Sequence, residues 1–241
     1  MLYDYLMRLH RFYIAEKIGE KEKSIQISNR DLIHQWRKVF RYNVGSQVIV
    51  FDGSGIECRA VIAKISPSDA ELSILETKEI STPTKNIWLC LSLIKKDNFE
   101  LVVQKAVELG VSHIVPILGE RSEKKKLNME RLQKIVQEAT EQSGRGELLK
   151  VHELTTLPKL FESGILPQEK IFFHPEYPPV QQYIAAHVEQ YSFAYFIGPE
   201  GGLSEEEIKL FKQYNVAGFS LGSRILRAET AAIMGAVVLG M

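Results

Sequence analysis

Only two cysteines occur in the 241 residues, Cys58 and Cys90, far apart in strand-like stretches and without CxxC spacing. That spacing disfavours paired metal ligation, so buried, reduced thiols are the reading. Charge of one sign is also missing: 30 basic residues face 30 acidic ones, so a polyanionic partner must be met by a local patch and not by a global field. Long hydrophobic runs are absent. The longest, AAIMGAVVLGM at 231–241, falls far short of the ~20 residues of a membrane span, and MLYDYLMRLHRFY at the start has no unbroken apolar signal region. These absences point to a cytoplasmic protein. Neither GxxxxGK[ST] nor GxGxxG occurs, which disfavours a triphosphate or dinucleotide ligand. What is present is ordinary for a globular chain, 45% hydrophobic and 25% charged, enough for a proper core in one large domain or in a small domain beside a larger one.

Residues 9–75 read mostly as β structure, with residues 31–40 as the one helix. Alternation in SQVIVFD and ECRAVIAKI brackets Asp52-Gly53-Ser54-Gly55, a hairpin turn signal. ETKEISTPTK, 76–85, is polar and aperiodic and marks a boundary. Beyond it, the apolar runs 87–94, 113–118, 170–174, 193–197 and 217–221 read as buried strands. Helices alternate with them: 98–109, opened by a capping box of Asp97 and Glu100 and stopped at Gly110, and another near 129–142 with Leu132, Ile135, Val136 and Ala139 on one face. The alternation predicts an α/β fold, a mostly parallel sheet covered on both faces.

Two loops stand out. In FIGPEGGLSEEEI, 196–208, Ser204 and Glu207 match a capping box with Leu203 and Ile208 as its hydrophobic staple, which simply starts a helix. That does not account for Gly198, Gly201 and Gly202 around Glu200, where one glycine would make the turn; several suggest backbone brought close to a ligand or another segment. In SLGSRILRAETAAI, 220–233, Gly222 ends a strand, Arg224 and Arg227 interrupt an apolar series, and a small-residue helix follows. Taken alone this is equally a surface loop with two solvated arginines. Two such loops after buried strands fit a ligand site, since open α/β sheets bind ligands there.

GPEGGLSEEEI and LGSRILRAETA, preceded by VQKAVELGVSHIVPILGERS (103–122) and EATEQSGR (138–145), with RFY (11–13) and VFRYNVGSQVIVFDGSG (39–55) nearer the start, resemble the 16S ribosomal RNA uridine N3-methyltransferase family of the SPOUT superfamily. The resemblance spans nearly the whole chain. Phe40, where leucine is usual, and Leu149, where proline is expected, depart from the pattern without touching a charge or glycine of the site. The resemblance implies a PUA-like β-barrel RNA-binding domain at 1–75 and a methyltransferase domain at 84–241, a SPOUT-type parallel sheet ending in a deep trefoil knot. It also implies a homodimer, S-adenosyl-L-methionine as cofactor, and small-subunit ribosomal RNA, or the assembled subunit, as the partner.

Residue roles follow from the same resemblance. Arg227 would orient the base and stabilise developing anionic character at uridine N3, while Glu229 would accept a proton or orient Arg227. Gly198, Glu200, Gly201, Leu221, Gly222, Ile225 and Leu226 would hold the cofactor, with His174 either a pocket wall or a satisfied strand-end residue. RNA would be gripped by Arg8, Arg11, Lys38, Arg41, Arg121 and Arg145; Lys124, Lys125 and Lys126 read equally as a solvated loop. A noncatalytic RNA-binding or ribosome-assembly factor on the same fold, or a methyltransferase acting on another RNA, is the alternative.

Overall fold

The computed structural model describes residues 9–19, 22–80, 84–122, 126–187 and 191–240. The backbone divides into two compact units: residues 1–82 with 140–147, and residues 83–139 with 148–241.

The first unit is built on a five-stranded mixed sheet. Its strands are β1 (Arg11–Tyr13), β2 (Ser24–Ile27), β3 (Gln47–Phe51), β4 (Ile56–Ile65) and β5 (Ala70–Glu79), in the order β1-β3-β4-β5-β2. Only the β1–β3 pair is parallel. The Asp52–Gly55 hairpin forms as the sequence indicates, with Gly53 at φ +79° and Gly55 at +88°, a region closed to most other residues. Asp52 tightens it by accepting from the Ser54 amide and hydroxyl, and its carboxyl is held below the usual range although burial opposes this. Trp36, Phe12, Ile33 and Val50 lie in the core of this unit.

The helix expected at 31–40 forms, with a local irregularity: α1 (Arg30–His34), capped by the Asn29 side chain, passes into a π-helical turn over Gln35–Val39. The wider turn buries Trp36 completely and leaves Val39 on the surface. The polar stretch 76–85 contains the division between the two units, at 82/83, and its first residues, ETKE, continue the strand. Their backbone stays paired with β4 from Glu76↔Arg59 to Glu79↔Ile56 while their side chains face solvent, so polarity here marks exposure.

The second unit carries six parallel strands, β6 (Asn86–Ser92), β7 (His113–Ile117), β8 (Lys150–Val151), β9 (Glu169–Phe173), β10 (Ser192–Ile197) and β11 (Ala217–Phe219). They run in the order β11-β9-β10-β6-β7-β8. The helices are α2 (Lys96–Glu108), α3 (Met129–Ser143), which runs on into the residues grouped with the first unit, α4 (Leu157–Glu162), α5 (Gln181–Ala186), α6 (Glu205–Gln213) and α7 (Ala228–Gly240).

Period-two alternation sorts the strand residues onto two cores. Ile87, Leu89, Leu91, Tyr195 and Ile197 join α2, α3 and α7, while Trp88, Cys90, Ala194 and Phe196 join α4 and α6. Both cysteines are buried and free, and burial pushes both thiols up.

Gly110 stops α2 at φ +80° as expected, but the Asp97–Glu100 capping box is absent because the helix starts at Lys96. Asp97 sits instead in the first turn, where a negative charge suits the helix dipole, and Glu100 pairs with Arg131 and Lys96. The second capping box does form, with Ser204 and Glu207 bonded reciprocally at the start of α6.

Candidate active site

Sheet order creates the site. From β6 the chain builds outward through β7 to β8, then crosses to the other side for β9 and β10, so direction reverses between β6 and β10. Loops leaving the carboxyl ends of strands on either side of such a reversal splay apart and leave a crevice. A cavity of about 730 Å³ lies there, lined by residues following β6, β9, β10 and β11.

The structure brings Arg227, Glu229, His174, Gly198, Glu200, Gly201, Leu221, Gly222, Ile225 and Leu226 together around that one cavity. Several lining residues were not singled out as site residues in the sequence: Lys95 and Asn98 at the start of α2, Phe173 at the end of β9 and Pro175 just after it, Ile197 at the end of β10. Their signal was position alone, since each lies at or just past the carboxyl end of a buried strand.

The glycines around Glu200 have separate causes. A Cβ on Gly198 would stand 3.0 Å from Leu203 Cγ, and one on Gly201 would stand 3.2 Å from Arg121 Cβ, so both are short of room. Gly202 is in open space but has φ +73°. Glu200 does not project freely into the cavity: its Oε1 accepts from the Lys95 amide at 3.2 Å, tying the turn to the start of α2.

The second wall is the 221–229 segment. Ile225 is 88% exposed, an unusual state for so apolar a side chain, and Arg224 and Arg227 are exposed beside it. Glu229 differs: it lies in the first turn of α7, is nine-tenths buried, and its Oε2 has no hydrogen-bond partner among the described residues. A buried carboxylate oxygen without a donor is costly, and one on a cavity wall marks where a donor or a cation is welcome.

The basic residues are distributed differently. Arg8, Lys124 and Lys125 lie outside the described residues. Arg11 is engaged internally: it pairs with Glu57 at 3.0 Å, donates to the carbonyls of Thr140 and Arg145, and lies over the Phe51 ring. Lys38 and Arg41 are exposed on and just after the π-helical turn, Arg41 with φ +56°, and Lys126 is exposed as well. Arg145 is half-buried, and burial lowers its pKa. Arg121 joins the glycine turn, donating from Nη1 to Gly201 O at 3.1 Å and Leu203 O at 3.4 Å. No group of three or more metal-ligating side chains occurs among the described residues, and no helix there is long and apolar enough to cross a membrane.

Comparison with known proteins places this geometry among relatives. Residues 81–239 match the RNA methyltransferase domain family and residues 37–75 the RNA methyltransferase PUA domain family. The ribosomal RNA small subunit methyltransferase E of Rickettsia conorii is 30% identical over 238 residues, covering 94% of this chain and 93% of the relative. Its Bacillus subtilis counterpart is 28% identical, covering 92% and 93%. Among solved structures, ribosomal RNA small subunit methyltransferase E from Neisseria gonorrhoeae, bound to S-adenosyl methionine, superposes with a TM-score of 0.85 at 26% identity over 95% of each chain. A putative methyltransferase from Legionella pneumophila, in complex with the same cofactor, gives 0.83 at 28% identity over 97% of each.

Proposed function

Since the chain belongs to the RNA methyltransferase family, with that family's PUA domain ahead of its catalytic domain, we propose that it transfers a methyl group from S-adenosyl-L-methionine to N3 of a uridine in small-subunit ribosomal RNA. The observation that carries this reading is the convergence of both glycine-rich and arginine-bearing loops on one cavity at the sheet's switch point.

The residues present suit the cofactor. Phe173, Ile197, Leu203, Leu221 and Leu226 offer apolar walls to an adenine ring, and closely approached turns offer backbone N–H and C=O groups to its edge. The unpartnered Glu229 oxygen and Glu200 supply negative charge, which suits a sulfonium and an ammonium and would repel a phosphate. Bound S-adenosylmethionine would supply an electrophilic methyl group.

The chain's task is then to hold the acceptor and manage a proton. Uridine N3 is a weak acid that must lose its proton as it attacks, so the base gains anionic character. Arg227, permanently charged and exposed on the cavity wall, would donate to the base's carbonyl oxygens and favour that charge. Glu229, two residues further on in the first turn of α7, either accepts the proton or orients Arg227; its burial favours the second role.

RNA would be gripped by Lys38 and Arg41 on the PUA unit. The finer architecture belongs to the same proposal: a deep trefoil knot in which main chain crosses main chain around 198–202 and 221–236, and a homodimer. Support for the dimer is α7, apolar on all sides, which buries Ala232, Gly235 and Ala236 yet leaves Met234 and Val237 exposed. The reaction would take place in the cytoplasm, where ribosomal RNA is assembled into subunits.

The test is direct. Mass mapping of 16S RNA from cells lacking the gene should show one methyluridine missing, restored by the wild-type gene. An unchanged profile would reject the substrate assignment.

A further inference from the structure

We infer that Arg121 is a positioning residue that sets the shape of the 198–203 turn, and through it the methyl-donor site, instead of a contact to RNA. This rests on the reading of the cavity as the donor site.

Arg121 follows β7, whereas the turn follows β10, and β6 lies between those strands in the sheet. The two loops therefore meet across the end of β6, and specific bonds hold them there. Arg121 Nη1 donates to Gly201 O and Leu203 O, the carbonyls on either side of Gly202. That residue has φ +73°, so the cation bridges the point where the chain reverses. Charge-assisted bonds from one guanidinium to two carbonyls fix a turn that glycines alone would leave loose.

The arginine stem acts as well, since Gly201 packs so closely that a Cβ would come within 3.2 Å of Arg121 Cβ. Leu203, held through its carbonyl, presses its side chain on Gly198. In this way the position of Arg121 reaches two residues of the cavity wall without touching the cavity itself.

A reciprocal tie runs the other way. Glu207, which caps α6 through Ser204 N at 2.8 Å, also accepts from Glu120 N at 3.3 Å through its other oxygen. Gly119 lies against the same carboxylate: a Cβ there would come within 2.7 Å of Glu207 Oε1 and would push that side chain aside. Residues 119–122 thus hold the 198–203 turn through Arg121 and are held in turn by Glu207 at the start of α6. A flexible RNA-gripping loop has no need of this arrangement; a brace has.

The experiment compares the full-length wild type with Arg121→Met, which keeps the stem and removes the donors, and Arg121→Lys, which restores one charge without the fork. S-adenosylmethionine affinity is read by calorimetry, and affinity for a 16S RNA fragment is read by fluorescence anisotropy without cofactor. Arg121→Met should weaken cofactor binding about tenfold and raise its KM, while kcat at saturating cofactor and RNA affinity stay within about threefold. Arg121→Lys should recover part of the loss.

Weakened RNA binding with unchanged cofactor affinity would overturn the inference, as would no change in either. If Arg121→Met fails to fold, the same comparison of Arg121→Lys with wild type decides. Should the wild type itself bind no cofactor, the donor-site reading fails separately, and amide exchange then judges the brace. Faster exchange at residues 201–203 in Arg121→Met supports it, and unchanged exchange overturns it.

Discussion

Tyr195, in the middle of β10, donates its hydroxyl to the Ala232 carbonyl at 2.9 Å, joining the centre of the parallel sheet to α7. The phenol is fully buried, and burial, with a smaller contribution from Cys90, pushes its pKa far up, so it stays a neutral donor. Removing the hydroxyl in Tyr195→Phe should cost about 1 kcal/mol, as for one neutral hydrogen bond. The neighbouring Gly235→Ala should cost about 1–3 kcal/mol by overpacking, since its Cβ would stand 2.8 Å from the Tyr195 ring. Urea unfolding at neutral pH measures both, and a neutral Gly235→Ala would mean that α7 shifts freely on the sheet.

Arg227 is exposed and contributes little to the fold, so its removal should separate chemistry from stability. Arg227→Ala is expected to leave the melting temperature unchanged and to cut single-turnover methyl transfer by about 100-fold or more. A rate near wild type would take Arg227 out of the mechanism.

Glu229 tests the sign of the site. Glu229→Gln keeps the shape and removes the charge; affinity for S-adenosylmethionine, a cation at sulfur, should fall more than affinity for the uncharged-sulfur product S-adenosylhomocysteine. A difference of about threefold to tenfold is expected, and equal losses would show that the carboxylate acts on something common to both ligands.

His113 and His152 share a proton-dependent contact, Nδ1 to Nε2 at 3.1 Å, with Trp88 stacked on His113. Burial, then Lys150, lowers the His152 pKa. A histidine whose folded pKa lies below its unfolded value stabilises the fold above that unfolded value and loses the contribution as pH falls through the folded one. Stability should therefore decline below about pH 6.5, the ordinary histidine range. Thermal melts from pH 8 to 5 on wild type and His152→Gln check this: the variant should show the flatter profile, and parallel profiles would exclude the pair as the cause.

Sequence pattern exposed some of this structure and hid the rest, for physical reasons. Ser204 and Glu207 were legible as a cap because a capping box depends on two side chains at fixed spacing. The strands of the parallel sheet were legible because burial on both faces leaves continuous apolar runs, except β8, whose Lys150–Val151 pair is too short to carry a pattern. The cavity lining around 198–202 and 221–229 was legible from glycine and charge in unusual places.

Lys95 was not legible as part of the site because it holds Glu200 through its amide, which every residue but proline provides. The same holds for residues 140–147, whose hold on Arg11 runs through carbonyl oxygens that any sequence supplies. Arg121 drew attention by its charge, and charge alone does not distinguish a phosphate from a carbonyl as its acceptor.

The grouping of residues 140–147 with the first 82 has a practical outcome for anyone dissecting the molecule. No single cleavage point releases either unit whole: truncation at 82 would deprive Arg11 of two acceptors and Tyr13 N of Glu141 in one fragment, and strip eight residues of their surroundings in the other. Fragments cut at 82 would need both halves present together for the first unit to regain its shape.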